Sequence, residues 1–296
     1  TPVMYYDQTA FEKAGLDPAS PPTTLDEYKS ACEAIVSKRV AKFGTSLKLT
    51  PSNFECWIAQ AGATLVNNGN GRTARATSAT FGDSSGKDLF AFYADMFSSR
   101  LAQATSGSGS GDFDNLLAIA SGQAPMSIDT SAALGTVLSV LPKLSKSIRL
   151  GVGPLPAPPG PGGVPYGGAG LYIAASSSAD KQQAAWEFIK FLLGAGPMAT
   201  WSIGSGYIPI TTASLQQATL TAAWKSVPQY KVAYDAVLNT KPSTATAGAV
   251  CGALAQIETN ILNGITAVSA GKGASQSLGE VALESDSDIA SYNSRV

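Results

Sequence analysis

Three consecutive residues with oxygen-bearing side chains, Asp129, Thr130 and Ser131, precede an apolar stretch that is typical of a helix. These are the residue types that most often cap a helix N-terminus. The first turn of a helix carries backbone N–H groups without intrahelical partners and the positive end of the helix dipole, so it can hold a polar ligand. The same three residues could equally cap their own helix and contact no ligand.

The chain contains no histidine among its 296 residues. Serine and cysteine nucleophiles that depend on histidine are therefore excluded, as are histidine metal ligands. Glycoside hydrolysis by two carboxylates needs no histidine, and Asp129 would be its candidate acid. A carbohydrate-active hydrolase thus stays an alternative, although no recognisable motif pairs two acids. We predict no catalytic residue, metal site or cofactor.

A run of alternating glycine and serine, TSGSGSG at residues 105–111, has the composition of a phosphate-binding loop. Its spacing matches neither GxGxxG nor GxxxxGK[ST], and no apolar strand precedes it. Gly/Ser alternation is more typical of a flexible connector. We therefore expect no phosphate site here.

The elements that position these residues alternate between strand and helix patterns. Thr24 and Glu27 form a capping-box sequence that predicts a helix start, and an apolar stripe follows at helical spacing. Strands are predicted at 3–6, 42–49 and 171–174, and helices at 9–14, 53–63, 88–101, 112–120, 178–193, 222–238, 248–270 and 274–292. This order indicates an α/β fold.

Composition limits the partners. The chain is 44% hydrophobic and 14% charged, its net charge is -1, and it has no apolar run of transmembrane length. It can bury a large core, and its length of 296 residues favours a division into two domains or lobes. Without a long Lys/Arg cluster, it is not expected to bind nucleic acid or an anionic membrane.

The three cysteines, Cys32, Cys56 and Cys251, lack CxxC spacing. Isolated buried thiols are the favoured interpretation, and one disulfide is the alternative if the protein is exported.

Several motifs together resemble family 1 of the extracellular solute-binding proteins of ABC importers. They are the opening TPVMYYDQTAFEKAGLDPASPPTTLDE, the segment DFDNLLAIASGQAPMSIDTSAAL, GGA at 167–169 after a Pro-rich run, the helix WEFIKFLL, and GYIP at 206–209. The resemblance covers nearly the whole chain.

The resemblance implies an α/β, two-lobe fold like that of type II periplasmic binding proteins, with the N-terminal part of the first lobe missing from this sequence. Residues 1–163 would be the main part of the second lobe. Residues 164–210 would be part of the first lobe with its crossover strands, and the helices of 211–296 would complete the second lobe.

The resemblance also implies a function and a site. We expect an extracytoplasmic solute-binding component of an ABC importer, periplasmic or at the cell surface and lipid-anchored in the full-length protein. It would work as a monomer with ABC permease subunits. Its interlobe cleft would be lined by Asp129, Thr130, Ser131, Gly167, Gly168 and Tyr207, and no enzyme activity is expected.

The motifs look most like those of sn-glycerol-3-phosphate-binding members, which carry an Arg where this chain has Val250. A phosphate would therefore lack its bidentate partner. We predict a neutral sugar or polyol instead, with Phe54 and Trp57 as stacking residues. Glycerol-3-phosphate or a glycerophosphodiester is the alternative ligand. Packing in the core is the alternative role for both aromatic residues. An adhesive or structural surface module is a third class of function, besides a binding protein and an enzyme.

Overall fold

A five-stranded mixed sheet organises the chain in the computed structural model, which describes residues 1–107 and 112–296. Its strands are β1 (Pro2–Asp7), β2 (Thr45–Leu49), β3 (Ala102–Ser106), β4 (Met126–Thr130) and β5 (Leu150–Pro154). The strand order is β3-β2-β4-β1-β5. Because β2 runs parallel to both β3 and β4, the carboxyl ends of these three strands meet at one edge of the sheet.

Helices connect and cover the strands. They are α1 (Gln8–Ala14), α2 (Leu25–Ser37), α3 (Pro51–Gln60), α4 (Asn67–Gly71), α5 (Ser84–Ser98), α6 (Asp114–Ala120), α7 (Leu134–Leu144), α8 (Ala179–Leu192), α9 (Ala195–Ser205), α10 (Thr212–Leu215), α11 (Ala218–Ser226), α12 (Gln229–Leu238), α13 (Leu254–Ser269) and α14 (Ala274–Asn293). A 3₁₀ turn, Ser131–Ala133, leads into α7.

Strand β1 shows why the core has two parts. Successive side chains of a strand point to opposite faces, so Met4 and Tyr6 enter one cluster while Val3 and Tyr5 enter the other. The first cluster includes buried residues of α2, α3, α5, α13 and α14, and the second includes those of α6, α7 and α12. A strand buried on both faces needs the continuous apolar sequence that β1 has.

Two predictions at the start of the chain are confirmed, the helix at 9–14 and the capping box at Thr24. Asp7 caps α1 by accepting the Thr9 N–H at 2.9 Å, and α1 ends at Gly15 with a left-handed φ of 69°. Thr24 and Glu27 form the predicted capping box at the start of α2. These contacts satisfy backbone donors and acceptors that a helix terminus leaves free.

Two predicted elements are wrong. The segment 171–174 is not a strand, since no strand of the described residues pairs with it and the side chains of Leu171 and Tyr172 are exposed. The predicted helix at 222–238 is interrupted between α11 and α12. Pro228 disfavours helical backbone at Val227, which has φ −134° and ψ 80°.

Two further expectations have different outcomes. Helix α8 forms near its predicted bounds, but none of its residues is buried. Of the glycine and serine run, residues 105–107 end β3 or follow it, and 108–111 lie outside the described residues.

Candidate functional site

An ion-pair cluster lies at the edge where the carboxyl ends of β2 and β4 meet. Lys48 Nζ is 3.2 Å from Asp129 Oδ2 and 2.8 Å from Asp112 Oδ1. The Lys48 side chain is 12% exposed and that of Asp129 is 6% exposed. We call Lys48, Asp112, Asp129 and the adjacent Asn115 the Lys48 cluster.

Asp129 is held by more than its ion pair. Asn115 Nδ2 donates to Asp129 Oδ2 at 2.9 Å, and the backbone N–H of Thr130 donates to Asp129 Oδ1 at 2.7 Å. Asn115 is fully buried and also donates to Ser127 Oγ at 2.9 Å. Both carboxylate oxygens of Asp129 therefore have partners inside the protein.

The start of the 3₁₀ turn and α7 does not present free donors as the sequence suggested. The Thr130 N–H is bonded to Asp129, the Ser131 N–H donates to the Thr1 carbonyl at 2.8 Å, and the Ala132 N–H donates to Thr130 Oγ1 at 3.2 Å. Thr130 is exposed and Ser131 is buried. The capping alternative is thus the one that the geometry supports at these residues.

Contacts around Thr1 bring distant segments of the predicted site together. Thr1 Oγ1 donates to the Pro165 carbonyl at 2.9 Å, while the Thr1 carbonyl accepts from Ser131. Gly206, with a left-handed φ of 90°, lies so close to the Ser131 carbonyl that a Cβ would collide with it. Residue 207 is consequently placed beside the 130–131 turn.

Tyr207 forms an exposed aromatic pair with Trp201 of α9. The ring centroids are 5.9 Å apart, and the residues are 44% and 60% exposed, respectively. Ser202 Oγ donates to the Tyr207 carbonyl at 2.7 Å, which fixes the backbone after α9. The sequence pointed to Tyr207 as a site residue but not to Trp201, which its contact with Tyr207 adds to the candidate site.

Phe54 and Trp57 lie in the core, so their prediction as stacking residues is wrong. Both are 0% exposed. The Phe54 ring makes edge contacts with the rings of Phe81 and Phe90, and Trp57 Nε1 donates to the Pro156 carbonyl at 2.8 Å. A ring with no exposed face cannot stack on a ligand.

Gly167 and Gly168 follow Pro165 in an exposed segment. A Cβ added at either position would have no atom within 4 Å. Packing among the described residues therefore does not require glycine there, and close approach of a ligand to this backbone stays a prediction.

Val250 is exposed, but an arginine lies near its backbone in space. The Val250 N–H donates to the Asn70 carbonyl at 2.9 Å, and the guanidinium of Arg72 donates to the Asn70, Ala247 and Gly248 carbonyls. The sequence could not foresee this proximity of Arg72. Its hydrogen bonds to the Ala247 and Gly248 carbonyls fasten the 67–72 turn to the segment before α13.

Other features of the described residues bear on the class of site. Cys32, Cys56 and Cys251 are free thiols. Residues 1–107 and 112–296 contain no group of three or more His, Cys, Asp or Glu side chains placed to hold a metal ion. Nor do they contain a helix with the length and apolarity needed to cross a membrane.

The sequence profile of bacterial extracellular solute-binding proteins matches residues 1–232. A relative from Pectobacterium atrosepticum, the sn-glycerol-3-phosphate-binding periplasmic protein UgpB, is 26% identical in an alignment that covers 96% of this chain and 63% of the relative. The chain thus spans about three fifths of that relative's length.

Solved structures share the fold. Mycobacterium tuberculosis UgpB in complex with glycerophosphocholine has a TM-score of 0.79 at 18% identity, covering 99% of this chain and 70% of its own. The sugar-binding protein MalE from Xanthomonas citri has a TM-score of 0.72 at 17% identity, covering 99% of this chain and 69% of its own. The mixed α/β fold is that of type II periplasmic binding proteins. With its profile match over residues 1–232 and this fold, the chain belongs to the bacterial extracellular solute-binding protein family.

Proposed function

We propose that this protein is the extracytoplasmic solute-binding component of an ABC importer and that it binds a neutral carbohydrate or polyol. The exposed Trp201–Tyr207 pair beside the Thr130–Ser131 turn carries this proposal. Aromatic faces pack against the C–H faces of sugars, and the hydroxyls of Tyr207 and Thr130 supply hydrogen-bonding groups at the rim. Gly167 and Gly168 would let the ligand approach the backbone.

A neutral ligand is favoured because the charged and donor groups near this turn already have partners. Lys48 is paired with two carboxylates, and the N–H groups of residues 130–132 are hydrogen-bonded. A phosphate bound there would have to displace one of these contacts. Glycerol-3-phosphate or a glycerophosphodiester is the second candidate ligand. A relative is named an sn-glycerol-3-phosphate-binding protein, and Mycobacterium tuberculosis UgpB was solved in complex with glycerophosphocholine.

Catalysis is not part of the proposal. The relatives are named as binding proteins, and Asp129, the candidate acid, is ion-paired and hydrogen-bonded inside the protein. A carboxyl group that protonates a glycosidic oxygen must be within hydrogen-bond reach of it. Hydrolysis of maltose by the complete protein, lost in Asp129→Ala, would contradict a binding-only function.

We propose that residues 1–163 and 211–296 form one lobe and that 164–210 contribute to the other. Support comes from α8, whose Trp186, Phe188 and Phe191 are exposed and would be covered by further lobe structure. A ligand that contacts both lobes favours the closed form by differential affinity. ABC permease subunits would recognise that form of a monomeric protein, held near the membrane by a lipid anchor.

Trp201→Ala should weaken carbohydrate binding by roughly tenfold to a hundredfold, as truncation of a central aromatic contact commonly does. The loss follows from removal of one face of the Trp201–Tyr207 pair. Thermal-shift screening of the complete protein with sugars, polyols and sn-glycerol 3-phosphate first identifies which ligand binds. Isothermal titration with maltose and with ribitol then measures the change in affinity for the neutral ligand.

Trp224→Ala is the matched control, because it truncates the tryptophan of a second Trp–Tyr pair, that of Trp224 on α11 with Tyr234 on α12, whose ring centroids are 5.1 Å apart. We expect its affinity to stay within about twofold of the original protein. Equal losses in the two variants would remove Trp201 from the proposed site. Preferential binding of glycerol phosphate by the unaltered protein would refute the neutral ligand itself.

A further inference from the structure

The side-chain charges of the Lys48 cluster leave it negative rather than positive. Lys48 carries one positive charge and contacts two carboxylates, Asp112 at 2.8 Å and Asp129 at 3.2 Å. The two carboxylates outweigh the ammonium group, so the cluster has a net negative charge at the sheet edge that leads into the Thr130–Ser131 turn. An anion placed there would meet repulsion that low exposure strengthens, since Lys48 is 12% exposed and Asp129 is 6% exposed.

Asp129 also occupies a donor that an anion would need. The Thr130 N–H lies 2.7 Å from Asp129 Oδ1, so the carboxylate stands where an external oxygen would accept that hydrogen bond. Asn115 Nδ2 donates to the other oxygen at 2.9 Å and holds the carboxylate in place. Asp129 thus binds both the Lys48 ammonium group and the Thr130 N–H, the two groups that could otherwise bind an anion.

We propose that Asp129, assisted by Asp112, is a specificity-determining residue that excludes anionic solutes by withholding Lys48 and the Thr130 N–H from the ligand. This inference rests on the proposed location of the ligand beside the 130–131 turn. Asp129 acts through its neighbours and does not contact the solute. Removing its charge brings the side-chain charge of the cluster to zero and leaves Lys48 paired with Asp112, so an anion at this edge no longer meets a net negative cluster. Because an Asn oxygen at position 129 can still accept from the Thr130 N–H, the expected gain comes from Lys48.

The test compares Asp129→Asn, Asp112→Asn and Asp95→Asn in the complete protein, titrated with sn-glycerol 3-phosphate and with maltose. Asp95 pairs with Lys29 on the helical surface, so its variant makes the same net-charge change in another ion pair. We expect Asp129→Asn to raise affinity for glycerol phosphate by about tenfold or more, the value of one charge-assisted hydrogen bond. Asp112→Asn should give a smaller gain and Asp95→Asn none.

A second substitution separates this role from a structural one. Lys48→Gln added to Asp129→Asn should abolish the gain, and rising salt should diminish the gain in the single variant. If Asp129→Asn does not fold, the affinity of Asp112→Asn for glycerol phosphate tests the proposal. This variant should fold because the Asp112 side chain is 47% exposed. The proposal is overturned if the folded variants bind glycerol phosphate no better than Asp95→Asn. If maltose does not bind the original protein, that result counts against the proposed carbohydrate. It does not affect the test of Asp129, which compares the affinities of the variants for glycerol phosphate.

Discussion

Trp57→Ala is expected to lower the free energy of unfolding by about 3 to 5 kcal/mol, the range for truncating a large buried aromatic residue. The indole is 0% exposed and lies between α3 and α5, with its ring 5.7 Å from that of Phe92 and 5.5 Å from that of Tyr93. Truncation also leaves the Pro156 carbonyl without the indole N–H, which donates to it at 2.8 Å. Urea or guanidinium unfolding measures the loss.

Trp201→Ala is the matched control for stability. Because Trp201 is 60% exposed, its truncation should change the unfolding free energy by no more than about 0.5 kcal/mol. Trp57→Phe, which keeps an aromatic ring but loses the hydrogen bond, should fall between the two alanine variants. If Trp57→Ala costs no more than Trp201→Ala, Trp57 is not the core residue described above, and stacking on a ligand becomes tenable for it again.

The two tryptophans show what the sequence could and could not predict. Residues 54 to 60 of α3 are nearly all buried, and a helix that is apolar on most sides belongs inside a protein. That signal was present for Phe54 and Trp57. In α8 and just after it, Trp186, Ile189 and Leu193 recur at helical spacing, a pattern that favours burial. The helix is nevertheless exposed, because no described segment covers it.

Local features were predictable because neighbours in sequence make them. The capping box at Thr24, the turn at Gly15 and the buried β1 strand depend on residues within a few positions of one another. The family resemblance then placed these elements in an α/β fold, which the structure confirms.

The Lys48 cluster was not predictable because it depends on strand register. Lys48 and Asp129 are 81 positions apart and meet only because β2 and β4 pair in parallel with Thr45 opposite Met126. Hydrophobic patterning can predict a strand but not which strands are neighbours, and β4 was not among the strands predicted from the sequence. Lys48, which no sequence motif connects to the site, therefore contacts Asp129, which the sequence indicated as a site residue.

Glu55→Gln is expected to stabilise the protein at pH 8 and to have little effect near pH 4.5. Burial, with a smaller contribution from Glu258 on α13, raises the pKa of the Glu55 carboxyl from 4.5 to about 7. Among the described residues, Glu55 Oε1 is buried without a hydrogen-bond partner. Above neutral pH the folded protein must therefore hold a poorly solvated charge.

The direction follows from proton binding in the two states. Between pH 4.5 and about 7, folded Glu55 keeps a proton that the unfolded chain has released. Unfolding is then coupled to proton loss, so the unfolding free energy falls as pH rises through this window and the penalty is complete above it. A shift from 4.5 to about 7 corresponds to on the order of 3 kcal/mol.

Urea unfolding at pH 4.5, 6 and 8 tests this coupling through the difference between Glu55→Gln and the original protein. That difference should grow with pH and at pH 8 should exceed the difference for Glu284→Gln, the control variant that removes an exposed acid from α14. Glu258→Gln should recover only a minor part of the gain, because burial is the larger cause of the raised pKa. A Glu55→Gln difference that is flat with pH would mean that Glu55 binds protons equally in the folded and unfolded protein, so that folding does not raise its pKa, and that α3 and α13 accommodate its charge without cost.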